Sequence, residues 1–132
     1  MNLNGKGIIM TTLFSFLANH KLYEHRIYPE ENDVVKLIEV GSKKTILTYD
    51  NKGNIFYNGF AIGKIHRLDD IRFKFYIDFE ILIGDKKTRY NISKVFKYDE
   101  KEYRKYSNLF LSVEYEVSYW FINEVLPYTT DN

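Results

Sequence analysis

Residues 71–83 alternate almost without a break between apolar and polar side chains. The apolar set takes every second position and consists of Ile71, Phe73, Phe75, Ile77, Phe79, Ile81 and Ile83. Successive side chains of a β-strand point to opposite faces, so a repeat of two residues is typical of a strand with one buried face. The pattern predicts a long strand whose apolar face covers a core.

A second strand follows after a two-residue turn at Gly84-Asp85. Its inward set is Thr88, Tyr90, Ile92, Phe96 and Tyr98. The turn fixes the register and places Phe79 opposite Tyr90 on the inner face. On the outer face, the same register places Glu80 opposite Arg89. The two segments therefore predict a β-hairpin over residues 71–98.

One residue of this hairpin departs from the pattern. The register puts Lys94 on the apolar face, opposite Phe75. Two interpretations follow: its ammonium group reaches solvent past the sheet edge, or it is a buried lysine with a lowered pKa.

Length and composition narrow the class of protein. The chain has 132 residues and a mass of 15.8 kDa, so we expect residues 1–132 to form a single domain. A net charge of +1 provides no overall attraction to nucleic acid or to an anionic membrane. Without cysteine, disulfides and thiolate chemistry are excluded, which fits a cytoplasmic protein. The apolar run at residues 8–18 is shorter than the roughly 20 residues of a membrane helix.

The first third of the chain predicts one helix, followed by short strands. Thr11 or Thr12 is a candidate helix cap, and the helix would end before Pro29. Its broad apolar face would consist of Leu13, Phe14, Phe16 and Leu17. Strands are expected at residues 34–40, 44–49, 55–57 and 60–65, with turns at Gly41-Ser42 and Asn58-Gly59. With the hairpin, this makes a meander of about six strands.

The C-terminal region predicts a second helix. Asp99 and Glu102 have the spacing of a capping box, and apolar residues then recur at helical intervals as far as Leu126. A competing interpretation is a strand over residues 109–117, which also alternate. We favour the helix. The expected fold class is therefore α+β: an antiparallel meander sheet of about six strands, with an N-terminal and a C-terminal helix packed on it.

Two polar clusters are candidates for chemistry. His66, Asp69 and Asp70 could act as acid and base in a small enzyme, although aspartates that cap a polar turn explain them more simply. His20, Glu24 and His25 could approach a metal ion, but they do not share one helical face, so a solvated helix end is favoured. No cofactor fingerprint is present. We therefore expect no catalytic residues, no cofactor and no metal.

The leading functional hypothesis is a protein that binds another protein. Aromatic residues make up 17% of the chain and tyrosine alone supplies 12, more than one core needs. Exposed tyrosine suits protein recognition, although A/T-rich codon usage would also enrich it. The candidate contact residues are Tyr57, Tyr76, Arg72, Lys74 and Arg89. Small size and near-neutral charge suggest an inhibitor, immunity or counter-defence factor of a phage or other mobile element, which would occlude its partner.

Single-stranded nucleic acid is the alternative partner. Basic and aromatic residues interleave along the hairpin, as they do in sheets that bind single strands. However, the alternation turns Phe73 and Phe75 away from Arg72 and Lys74. The basic outer face would therefore offer Tyr76 but few other stacking surfaces, so protein binding remains the preferred hypothesis.

Overall fold

Eight antiparallel strands and one helix build the described part of the chain, which in the computed structural model comprises residues 10–97 and 109–129. The strands are β1 (Thr11–Ala18), β2 (Lys21–Tyr28), β3 (Val34–Glu39), β4 (Lys44–Tyr49), β5 (Asn54–Tyr57), β6 (Phe60–Arg67), β7 (Arg72–Ile83) and β8 (Lys86–Lys97). They form one sheet in the order of the sequence, so every connection joins neighbouring strands. Helix α1 (Leu109–Glu124) follows, and a 3₁₀ turn (Leu126–Tyr128) comes after it.

Helix α1 covers one face of the sheet, called the inner face below. Its buried side chains Val113, Val117 and Phe121 pack in one cluster with residues from most strands. Rings of the helix reach both halves of the sheet, since Tyr115 lies 5.0 Å from Phe16 of β1 and Trp120 lies 6.5 Å from Tyr90 of β8. Apolar burial between helix and sheet is therefore the main source of stability.

The predicted hairpin is confirmed over residues 72–97, whereas Ile71 precedes the strand and is 46% exposed, and Tyr98 lies outside the described residues. Strands β7 and β8 pair from Arg72 with Lys97 through Ile83 with Lys86. Phe79 lies opposite Tyr90 and Glu80 lies opposite Arg89, as the turn at Gly84-Asp85 requires. The other predicted strands are also present, and the Asn58-Gly59 turn joins β5 to β6 through positive φ angles of 52° and 82°. Period-two patterning and turn chemistry are local signals, which explains why they located these strands.

The predicted N-terminal helix is wrong. Residues 11–28 instead form the β1–β2 hairpin, so the described chain has eight strands rather than about six. Its turn is Asn19-His20, with φ angles of 50° and 65°. Without glycine this turn is a weak sequence signal. The exposed Leu17 on the outer face also hid the alternation of buried Phe16 and Ala18.

The C-terminal helix is confirmed over Leu109–Glu124, and the alternative strand over residues 109–117 is wrong. The capping box at Asp99 and Glu102 lies outside the described residues. Within the described ranges, no helix has both the length and the apolar character needed to cross a membrane.

Candidate protein-binding face

The outward side chains of β7 and β8 form a continuous exposed surface, called here the outer hairpin face. It consists of Arg72, Lys74, Tyr76, Asp78, Glu80, Leu82, Lys87, Arg89, Asn91, Ser93, Val95 and Lys97. Three of its residues are large and apolar or aromatic: Tyr76, Leu82 and Val95 expose 40%, 66% and 53% of their surface. Because the opposite face of β7 is buried core, these side chains stand on a firmly packed support.

The charges of the outer hairpin face are partly paired. Arg89 forms an ion pair with Asp78 at 2.8 Å, and Arg72 forms one with Asp69 at 2.7 Å. All four side chains are exposed, so these pairs add little to stability. Lys74 and Lys97 have no carboxylate within ion-pair distance among the residues that the structure describes. The face therefore presents free positive charge beside its apolar residues.

Tyr76 stacks on a neighbouring ring of β6. Its centroid lies 5.8 Å from that of His66, and the two planes differ by 19°. The stack occupies one face of each ring, so Tyr76 offers a contacting molecule its other face, its edge and its hydroxyl group.

Four of the five predicted contact residues share this face: Arg72, Lys74, Tyr76 and Arg89. Tyr57 does not. It is half-buried on the inner face, where its ring lies 5.0 Å from Phe121 and 6.2 Å from Phe79. Strand β5 is only four residues long and gives little alternation from which to infer the facing of Tyr57.

Asp69 and Asp70 lie in the loop between β6 and β7, whereas His66 lies on β6 and stacks on Tyr76. The Asp69 carboxylate accepts hydrogen bonds from the backbone N–H groups of Ile71 and Arg72 and from the Arg72 guanidinium. These contacts lower the pKa of Asp69, the Ile71 N–H having the largest effect. Asp70 is fully exposed and faces Arg67 at 3.6 Å. These contacts describe a turn held by an aspartate.

Lys94 is exposed, which confirms that its side chain reaches solvent past the edge of the sheet. It occupies the predicted position opposite Phe75, on edge strand β8. An inward-pointing lysine on an edge strand discourages unwanted pairing with other strands.

The structure assembles a buried polar cluster that sequence analysis missed. His25 Nε2 lies 2.8 Å from Ser118 Oγ, which lies 2.6 Å from the Tyr49 hydroxyl. The Tyr49 hydroxyl lies 3.1 Å from the backbone oxygen of Glu114. One proton order satisfies the chain: His25 donates to Ser118, Ser118 donates to Tyr49, and Tyr49 donates to the carbonyl of Glu114.

This cluster corrects the interpretation of His25 as part of a solvated helix end. His25 is fully buried on β2, and burial lowers its pKa to about 3, so the imidazole stays neutral. Of the other two residues in that cluster, His20 lies in the β1–β2 turn and Glu24 is less buried than His25. Among the described residues, no group of three ligating side chains is able to hold a metal ion. A serine bonded to a histidine suggests a nucleophile, but His25, Tyr49 and Ser118 are all 0% exposed. The cluster therefore ties β2, β4 and α1 together.

Glu114 is the second buried titratable group. It is 4% exposed on α1, and burial raises its pKa from 4.5 to about 8. Its place in an alternating segment gave no sequence signal of burial, because a glutamate is usually exposed.

Comparison of the chain with protein-family models, with curated proteins and with solved structures finds no match.

Proposed function

We propose that this protein is a small non-enzymatic binding protein, that its partner is another protein, and that the outer hairpin face is its contact surface. The observation that carries the proposal is the exposure of Tyr76, Leu82 and Val95 on one hairpin of two twelve-residue strands. Exposed apolar and aromatic side chains beside arginine are the usual composition of protein contact surfaces.

The charge of this hairpin favours an acidic partner surface. Residues 72–97 carry seven basic and three acidic side chains, although the whole chain has a net charge of only +1. Such an asymmetry accelerates encounter with an acidic surface and disfavours basic ones. Lys74 and Lys97 would supply the long-range attraction, while Tyr76 and Val95 would supply the apolar contact.

Binding of this kind suits a protein that acts by occlusion. An exposed sheet face covers a partner's surface without needing a deep cavity of its own, which suits an inhibitor, immunity protein or counter-defence factor of a mobile element. We place this activity in the cytoplasm, since a chain without cysteine needs no oxidising compartment.

Nucleic acid is the second candidate, favoured by the basic composition of β8, which has five basic residues and no acidic one. Two observations weigh against it. Phe73 and Phe75 are 1% and 3% exposed and cannot stack on bases. Tyr76 already shares one ring face with His66. Protein binding therefore remains the better supported proposal.

The decisive experiment is affinity purification from the cell that makes the protein, followed by mass spectrometry. We expect a stoichiometric protein partner with the wild type and at least a tenfold loss with Tyr76→Ala/Val95→Ser. The matched control is Leu17→Ser/Leu22→Ser, which removes apolar residues exposed by 72% and 40% from the outer face of β1 and β2. Melting curves of both variants separate loss of contact from loss of folding.

Two results would contradict the proposal. Retention of the partner by Tyr76→Ala/Val95→Ser, with loss in the control, would move the contact from the outer hairpin face to the β1–β2 end of the sheet. Co-purifying nucleic acid, with binding that weakens steeply between about 50 and 200 mM salt and disappears in Lys74→Glu/Arg89→Glu, would favour the rival partner.

A further inference from the structure

A cavity of about 190 Å³ lies on the inner side of the sheet, where β1, β2 and β3 meet the start of α1. Aliphatic side chains form part of its wall: Leu13, Ile27, Val35 and Leu111. A cavity of roughly 150 Å³ can hold a molecule the size of benzene, so this one accommodates an organic group of five or six non-hydrogen atoms.

Glu114 lines this cavity from α1. Glu114 is 4% exposed, and no hydrogen bond or ion pair from another described residue reaches its carboxyl group, whose oxygens keep slight access to solvent from the cavity. Only its backbone oxygen is engaged, by the Tyr49 hydroxyl. A buried carboxyl group without a partner is costly, and a cation placed beside it would remove that cost.

Two further acidic residues line the same cavity from other elements. Asp33 lies in the connection between β2 and β3, where it is exposed and adopts a φ of 61°. Asp50 follows β4 and accepts hydrogen bonds from the backbone of Lys52 and from Asn54. Partial burial acts to raise the pKa of Asp50, but these hydrogen bonds outweigh it and keep the carboxylate ionised. The lining of the cavity therefore includes three acidic residues beside its aliphatic ones.

We propose that this cavity, lined by Glu114, Asp33 and Asp50 around an aliphatic wall, is a binding site for an organic cation, namely an alkylammonium or alkylguanidinium group. The aliphatic wall fits the alkyl part, and the carboxylates fit the charged head. Two sources carry this chemistry: a free amine, or the lysine or arginine side chain of a partner protein. The site lies on the inner side of the sheet and does not depend on the function proposed for the outer hairpin face.

Binding at this site is linked to pH. Glu114 must lose its proton to pair with a cation, so binding of the cation releases a proton while Glu114 is protonated. The affinity for the cation therefore rises as pH increases from 6 to 9. The other titratable groups near it are Asp33 and Asp50 in the lining of the cavity, Tyr49, whose hydroxyl donates to the Glu114 carbonyl, and His25, which is hydrogen-bonded to Ser118. Burial raises the pKa of Tyr49 well above its usual value and keeps His25 neutral, so neither changes charge in this interval. A proton released there comes from Glu114.

The test is a titration of the whole chain with n-butylammonium and n-butylguanidinium, followed by backbone amide chemical shifts and calorimetry. We expect saturable binding of either cation with a dissociation constant of about 1 mM or tighter, and chemical-shift changes centred on residues 33, 50 and 114. We expect neither binding nor chemical-shift changes with 1-butanol at equal concentration. Asp33→Asn and Glu114→Gln should each weaken binding at least fivefold. Asp70→Asn, an exposed carboxylate elsewhere, should not change the affinity.

A lysine blocked at both ends as amides distinguishes the two sources. Tighter binding of the blocked lysine than of n-butylammonium assigns the site to a partner's side chain, and the reverse assigns it to a free amine. Absence of saturable binding by either cation would overturn the proposal. So would affinity unchanged in both Asp33→Asn and Glu114→Gln, or saturation by Mg²⁺ or Ca²⁺ in competition with the organic cation.

Discussion

Replacing Glu114 by glutamine tests the account of the buried polar groups, because it removes one titration from the folded protein. Burial raises the pKa of Glu114 from 4.5 to about 8. Between these two values the folded state binds more protons than the unfolded state. The free energy of unfolding therefore falls as pH rises, by about 1.4 kcal/mol per pH unit, or about 5 kcal/mol over the whole interval.

His25 has the opposite effect at lower pH. Its pKa falls from 6.5 in the unfolded chain to about 3 in the folded one. Below pH 6.5 the unfolded state binds the extra proton, so stability is lost as pH falls towards 3, again by about 1.4 kcal/mol per unit. Between pH 4.5 and 6.5 the two effects cancel. The wild type should therefore be most stable on a plateau there and lose stability on both sides.

Urea melts of wild type and Glu114→Gln at half-unit intervals from pH 4 to 9 measure this directly. The variant should gain about 5 kcal/mol relative to the wild type between pH 4 and pH 8.5, because it keeps a neutral group in the buried position. Glu124→Gln, at the exposed end of α1, is the matched control for loss of one carboxyl group. A difference between Glu114→Gln and wild type that does not vary with pH would refute the burial of a protonated Glu114.

Four further variants test the packing and the buried hydrogen bonds. Phe79→Ala should lower the free energy of unfolding by about 3 kcal/mol, because it removes a ring that contacts Tyr90 and Phe121. Asp78→Ala on the outer face should lower it by under about 0.5 kcal/mol. Equal losses in urea melts would mean that the assignment of β7 side chains to the inner and outer faces is wrong. Gly63→Ala should destabilise the fold by several kcal/mol, on the order of a large core substitution, because its methyl group would overlap the backbone oxygen of Tyr76. An unchanged melting temperature would contradict that close approach. Tyr49→Phe should lower the free energy of unfolding by about 1–3 kcal/mol, because the carbonyl of Glu114 and the hydroxyl of Ser118 each lose one hydrogen-bond partner. If calorimetry shows no loss of stability, these groups find other partners.

The sequence by itself determined the strands from residue 34 onward and the register of the β7–β8 hairpin. The reason is physical: a two-residue repeat assigns each side chain to a face, and a two-residue turn fixes which residues lie opposite each other. The sequence also indicated that Arg72, Lys74, Tyr76 and Arg89 share one face. The first three are two residues apart along β7, and the register pairs Arg89 of β8 with Glu80 on the same face.

Only the tertiary structure decided the N-terminal hairpin. Leu13 and Leu17 place apolar side chains at helical spacing with Phe14 and Phe16, so the local pattern fits a helix as well as a strand. Pairing along the whole of β2 and coverage by Tyr115 of α1 settle the choice in favour of the strand. Contacts with distant residues overrode an ambiguous local signal.

The buried groups were also beyond the reach of the sequence. His25 and Ser118 are 93 residues apart, and only the packing of α1 on the sheet brings them to 2.8 Å. The burial of Glu114 depends on the same packing, which encloses a carboxyl group that its polarity would place in solvent. Local patterns report which face a side chain takes, whereas the environment of that face is set by elements distant in the chain.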